Sequence, residues 1–69
     1  MDYANLLGKM RSKRLTQSDV AKKIGVSATT LNKKLRGHTD FTQSEICGIC
    51  EVLGISAEEL PDYFFVKKL

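Results

Sequence analysis

Residues 16–37 read TQSDVAKKIGVSATTLNKKLRG. Two short amphipathic helical patterns sit on either side of Gly25. The first covers residues 16–24, with Val20, Ala21 and Ile24 on one face. The second covers residues 27–36, with Leu31 and Leu35 inward. Gly25 can take the left-handed backbone that ends a helix, where a Cβ would clash. Ser27 can cap the next helix by accepting from an otherwise unpaired N–H. Ala21 is small enough for the second helix to cross close by. Two helices joined by a short Gly-containing turn form a helix-turn-helix (residues 16–36), a motif whose second helix can enter the DNA major groove.

An apolar residue followed by Ser or Thr, with another apolar residue four positions further on, recurs along the chain. It occurs at Leu15 and Thr16, Val26 and Ser27, Phe41 and Thr42, and Ile55 and Ser56. Each marks a helix start with a cap and a hydrophobic staple, and Thr42 with Glu45 and Ser56 with Glu59 also fit capping boxes. A first helix is predicted over about residues 2–13, with Tyr3, Leu6, Leu7 and Met10 on its buried stripe. A fourth buries Ile46, Ile49, Cys50 and Leu53 and stops at Gly54. A short fifth begins at Ser56. The one competing strand-like run is 63–66. The expected fold is all-α, a single compact five-helix domain over residues 1–69.

With these residues in place, a resemblance follows. Leu15, Thr16, Gln17, Val20, Ala21, Ile24, Gly25, Val26, Ser27, Thr30, Leu31, Leu35 and Gly37 resemble, in order and spacing, the DNA-binding domain of the lambda-repressor-like family, the phage repressor and Cro proteins also called XRE-type. ICGICEVLGISAEEL (46–60) is similar to that family's closing segment, with Cys50 where the family usually has Ala. The resemblance covers about residues 3–60. The tail after Pro61 matches nothing general in the family.

The resemblance implies a homodimer on an inverted-repeat operator in double-stranded DNA, with the second helix (28–36) in the major groove. Opposite Leu31 and Leu35, at about 100° per residue, that helix presents Thr29, Asn32, Lys33 and Arg36, with Ala28 at the edge. Thr29 can hydrogen-bond a base or touch a thymine methyl, and Ala28 can touch one. Asn32 can pair with adenine, and Lys33 can reach guanine O6 and N7. Gln17 opens the preceding helix, where free N–H groups attract phosphate. The resemblance implies that it grips the DNA backbone and buttresses the second helix. It also implies phosphate contacts from the loop after that helix (Arg36, Gly37, His38, Thr39), largely through backbone N–H. Lys34, toward the flank, is assigned a phosphate contact.

Charge is distributed unevenly. Residues 1–38 hold nine Lys and Arg against Asp2 and Asp19, a net +7, whereas residues 39–69 hold Lys67 and Lys68 against six acids, a net −4. Such a skew suits phosphate at one end of the molecule. No run is long and apolar enough to span a membrane, and the N-terminus lacks a signal-peptide pattern. The expectation is therefore a cytoplasmic protein without membrane, cofactor, metal or small-molecule substrate. No motif positions a nucleophile or acid beside His38, and Glu58 and Glu59 suit a helix start, so no enzyme is expected. Cys47 and Cys50 form a C-x-x-C pair. With one histidine and no second pair, one chain cannot supply four zinc ligands, and two reduced thiols are expected.

The tail 61–69 contains Tyr63, Phe64 and Phe65, three of the five aromatics. They could fold back on the core, but the preferred assignment is a dimer contact through Tyr63, Phe64, Phe65 and Val66. The sequence thus points to a DNA-binding transcription regulator, Cro-like and from a phage or mobile element. The alternatives are an antitoxin-type autoregulator and a helix-turn-helix reused to bind protein.

Overall fold

The computed structural model describes residues 3–64, and the expected dimer contacts at Phe65 and Val66 lie outside them. Five helices follow one another: α1 Ala4–Ser12, α2 Gln17–Ile24, α3 Ala28–Leu35, α4 Gln43–Leu53 and α5 Leu60–Phe64. Among the described residues there is no strand, and Tyr63 and Phe64 of the strand-like run are helical. No helix among them is long and apolar enough to cross a membrane. The radius of gyration of 11.0 Å is about that of a close-packed chain of this length.

Three helix starts form where the local chemistry places them. Thr16 Oγ1 accepts from the Asp19 N–H at 3.1 Å while the Thr16 N–H donates to the Asp19 carboxylate at 2.9 Å. Thr42 and Glu45 make the same reciprocal box, at 3.1 and 2.8 Å. Ser27 Oγ accepts from the Thr30 N–H at 3.1 Å. Each bond satisfies a donor that the helix cannot pair internally.

The ends of α1 to α4 also share one device. A residue at positive φ reverses the chain, and the N–H after it reaches back to a carbonyl five residues earlier. Leu15 donates to Met10, Val26 to Ala21, His38 to Lys33 and Ile55 to Cys50. The residues at positive φ are Arg14, Gly25, Gly37 and Gly54. At Gly25 and Gly37 the absence of a Cβ removes the strain of this conformation; Arg14, at φ 58°, bears it.

The fifth helix differs from expectation. It starts at Leu60, not Ser56, because residues 56–60 close tighter bonds, Glu59 N–H to Ser56 O and Leu60 N–H to Ala57 O. Pro61 falls in the first turn, where its missing N–H costs nothing.

The core joins Leu6 and Met10 of α1, Val20 and Ala21 of α2, Leu31 and Leu35 of α3, and Ile49 and Leu53 of α4. The helical spacing anticipates all of these and Tyr3, but not Ile55 and Phe64, which complete the set. Phe64 is 3% exposed. Its ring packs edge-on against Phe41 at 5.5 Å and Tyr3 at 6.4 Å, and Tyr3 meets Phe41 at 5.3 Å. This trio fastens the start of α1, the loop before α4 and the end of α5 together. The Asn5 side chain adds a hydrogen bond to the Asp62 carbonyl at 3.0 Å. The assignment of Phe64 to a dimer surface is therefore corrected: two aromatic neighbours are worth more to that ring inside than water is outside.

Helix α2 packs against both α3 and α4. At Gly48 of α4 the two helices leave no room for a side chain: an added Cβ would stand 3.0 Å from Ile24 Cγ2. Gly48 separates the two cysteines in sequence, and its own importance is steric.

Candidate nucleic-acid interface

The candidate surface is built on α2, α3 and the loop that follows. Because Gly25 and Ser27 compress the connection to a tight turn, the start of α2 lies beside the middle of α3. There the Asn32 side-chain amide donates to Gln17 Oε1 at 3.0 Å. Both residues are half-buried. A primary amide carries two N–H donors and one carbonyl acceptor. The bond therefore occupies the Gln17 oxygen and leaves its NH₂ group, and leaves Asn32 one N–H and its own oxygen.

Around this pair, Ala28, Thr29, Lys33 and Arg36 are exposed along α3. Thr29, Lys33 and Arg36 follow the four- and three-residue steps that line up one helix face. His38 and Thr39 are exposed just beyond. The expected outward residues are thus brought together, with Gln17 beside them.

Two details differ from expectation. Lys34 is 9% exposed. Its ammonium donates to the Glu45 carboxylate at 2.7 Å and to the Asp40 carbonyl at 3.0 Å. Its assignment as a phosphate contact is corrected: its charge is already neutralised within the fold. The helical spacing held a signal for this, because Lys34 lies only about 60° from Leu31 around the helix. Glu45, in contrast, was legible only as a cap. It accepts simultaneously from the Thr42 N–H and from Lys34. Burial pushes its pKa up, but the hydrogen bond from Lys34, the Thr42 N–H and the nearby ammonium outweigh burial and hold it below the ordinary value.

The second correction concerns the loop. The Gly37 N–H donates to the Lys34 carbonyl at 3.1 Å and the His38 N–H to the Lys33 carbonyl at 2.9 Å. These donors close α3 and are not directed outward, so what the 36–39 segment offers a ligand is chiefly side chains. At the start of α2, the capping box likewise uses the Thr16 and Asp19 N–H groups. That leaves those of Gln17 and Ser18 without an intrahelical partner.

Lys13 reaches the far end of α4. Its Nζ stands 3.8 Å from where a Gly54 Cβ would lie. A cation there complements the C-terminal end of the helix.

The family model described as "Protein of unknown function (DUF739)" matches residues 1–67. The chain belongs to the DUF739 family. No curated protein matches it. Within this DUF739 chain, the match spans every element of the surface just described, from Gln17 to Thr39, and the two cysteines of α4.

Proposed function

We propose that this DUF739 protein is a sequence-specific double-stranded DNA-binding regulator of the lambda-repressor-like, XRE type, acting as a Cro-like repressor that occupies an operator as a homodimer. The observation that carries the proposal is the exposed face of α3, with Thr29, Lys33 and Arg36 beside the joined amides of Gln17 and Asn32. Its chemistry matches the two tasks of such a protein. Contacts to phosphate fix position, and contacts to base edges in the groove choose sequence.

In this reading α3 enters the major groove. Thr29 and Ala28 meet thymine methyls, and Lys33 reaches guanine O6 and N7. Asn32 meets adenine with the N–H and oxygen it does not share with Gln17. Gln17 directs its NH₂ group to a phosphate near the start of α2, and Arg36, His38 and Thr39 add contacts beyond α3. Lys34 sets the position of α3 from inside and touches no DNA. For the dimer, Tyr63, Phe65 and Val66 remain the proposed contacts, without Phe64. The positive half of the chain steers the approach.

The test is selection of binding sites from a random duplex library, followed by Lys33→Glu and Arg36→Glu on the selected sequence. An inverted repeat with half-sites about 34 Å apart is expected, with binding lost in the double variant while the helical circular dichroism stays unchanged. Affinity is also expected to fall by about 0.9 log units per log unit of salt for each phosphate neutralised. Absence of enrichment with folded protein at low salt overturns the proposal in favour of a protein-binding module.

A further inference from the structure

Cys47 and Cys50 take no part in the surface above. They stand one turn apart on α4, Cys47 exposed and Cys50 half-buried, both as free thiols. Both line one open groove of about 460 Å³ whose other walls are Gln43, Ile46, Glu51, Ala57 and Leu60. Gly48, between them in sequence, faces Ile24 of α2.

Residues three apart on a helix have Cβ atoms about 5–6 Å apart. A disulfide needs about 3.5–4.5 Å between them, so closing one would distort α4 between its cap at Thr42 and its end at Gly54. A single ion between the sulfurs makes no such demand. Taking the zinc–thiolate bond of about 2.3 Å as a scale, sulfurs on opposite sides of one ion lie up to about 4.6 Å apart, a span that rotation of the two side chains can supply. Among the described residues no group of three or more His, Cys, Asp or Glu side chains converges. Zinc, which takes four ligands, is poorly served by such a pair, whereas thiolates with few other ligands favour soft ions.

We propose that Cys47 and Cys50 form a two-coordinate site for one soft, thiophilic monovalent cation of the Cu(I) class, seated in the groove between α4 and the 57–60 turn. On binding, each thiol releases its proton to solvent and each sulfur donates an electron pair to the metal. No electron is transferred and the cation stays monovalent. The site is independent of the DNA-binding proposal.

The test is an anaerobic titration of the full chain with Cu(I) against a chromophoric chelator. One equivalent per chain is expected, with Cys47→Ser and Cys50→Ser each weakening binding by more than about 100-fold while helical content is kept. Retention of the full affinity by either variant overturns the site, as does one ion shared between two chains. A second measurement covers a variant that does not fold. A mild thiol oxidant on the parent protein is expected to leave the pair without an intrachain disulfide, and rapid closure of one would overturn the geometry.

Discussion

The Lys34 ammonium lies 2.7 Å from the Glu45 carboxylate, with the two side chains 11% and 12% exposed. This contact joins the last turn of α3 to the first turn of α4 across the loop 36–42. Because Glu45 also receives the Thr42 N–H, one carboxylate fixes a helix start and the neighbouring helix together. Lys34→Ala removes the partner and leaves that carboxylate little hydrated. A loss of about 1–3 kcal/mol is expected, measured as a shift in the urea midpoint. Lys34→Met, which keeps the packing of the aliphatic stem, should cost less if packing contributes. No change in either variant would remove the contact from the account of stability.

The same pair gives the fold a dependence on acid. The Glu45 pKa is lower in the folded chain than its ordinary value. A group shifted down contributes stability above its unfolded pKa, about 4.3 for Glu, and loses it as pH falls through the folded value. Asp19 is also shifted down, by the Thr16 backbone N–H and hydroxyl, so both act in one direction. Melting temperature is expected to fall below about pH 4. Glu45→Gln, which cannot ionise, should start less stable at neutral pH and show a shallower decline. Parallel curves for parent and variant would count against this assignment.

Gln17 and Asn32 offer a separation between folding and binding. Their hydrogen bond lies at the surface of the α2 and α3 pair, outside the buried core. Gln17→Ala should change stability by less than about 1 kcal/mol. Under the proposed function it removes a phosphate contact and frees the Asn32 side chain, so affinity for a selected site should fall about tenfold or more. Equal losses of stability and affinity would mean that the pair serves the fold alone.

Phe64 tests where the end of the chain belongs. Its burial against Tyr3 and Phe41 makes Phe64→Ala a core deletion, expected to cost about 3–5 kcal/mol. A domain of this size commands about 3–10 kcal/mol in total. Unfolding of the variant should be easier to the same degree at low and high protein concentration. A loss that appears only on dilution would instead return Phe64 to an interface between chains.

The local signals were legible wherever neighbours in sequence are also neighbours in space. Thr16, Ser27 and Thr42 cap because each partner lies three residues ahead, and Gly25 and Gly54 end helices because φ is a property of one residue. The stripes of α1 to α4 follow from helical spacing for the same reason, and so does the outward position of Thr29, Lys33 and Arg36. Ser56 shows the limit even of local patterns: its capping residues are present, yet the chain there makes tight turns and delays α5 to Leu60.

What only the tertiary structure decided are the contacts between residues distant along the chain. Lys34 could have been a solvated cation until Glu45 and Asp40 were brought across the loop to meet it. Phe64 could have been exposed until Tyr3 and Phe41 formed its surroundings. Gly48 gained its meaning from Ile24 on another helix. A sequence specifies caps and faces through short-range sterics and hydrogen bonding. Which charge is neutralised and which aromatic is enclosed depends on the packing of whole helices, where burial and desolvation are settled by partners that spacing alone does not name.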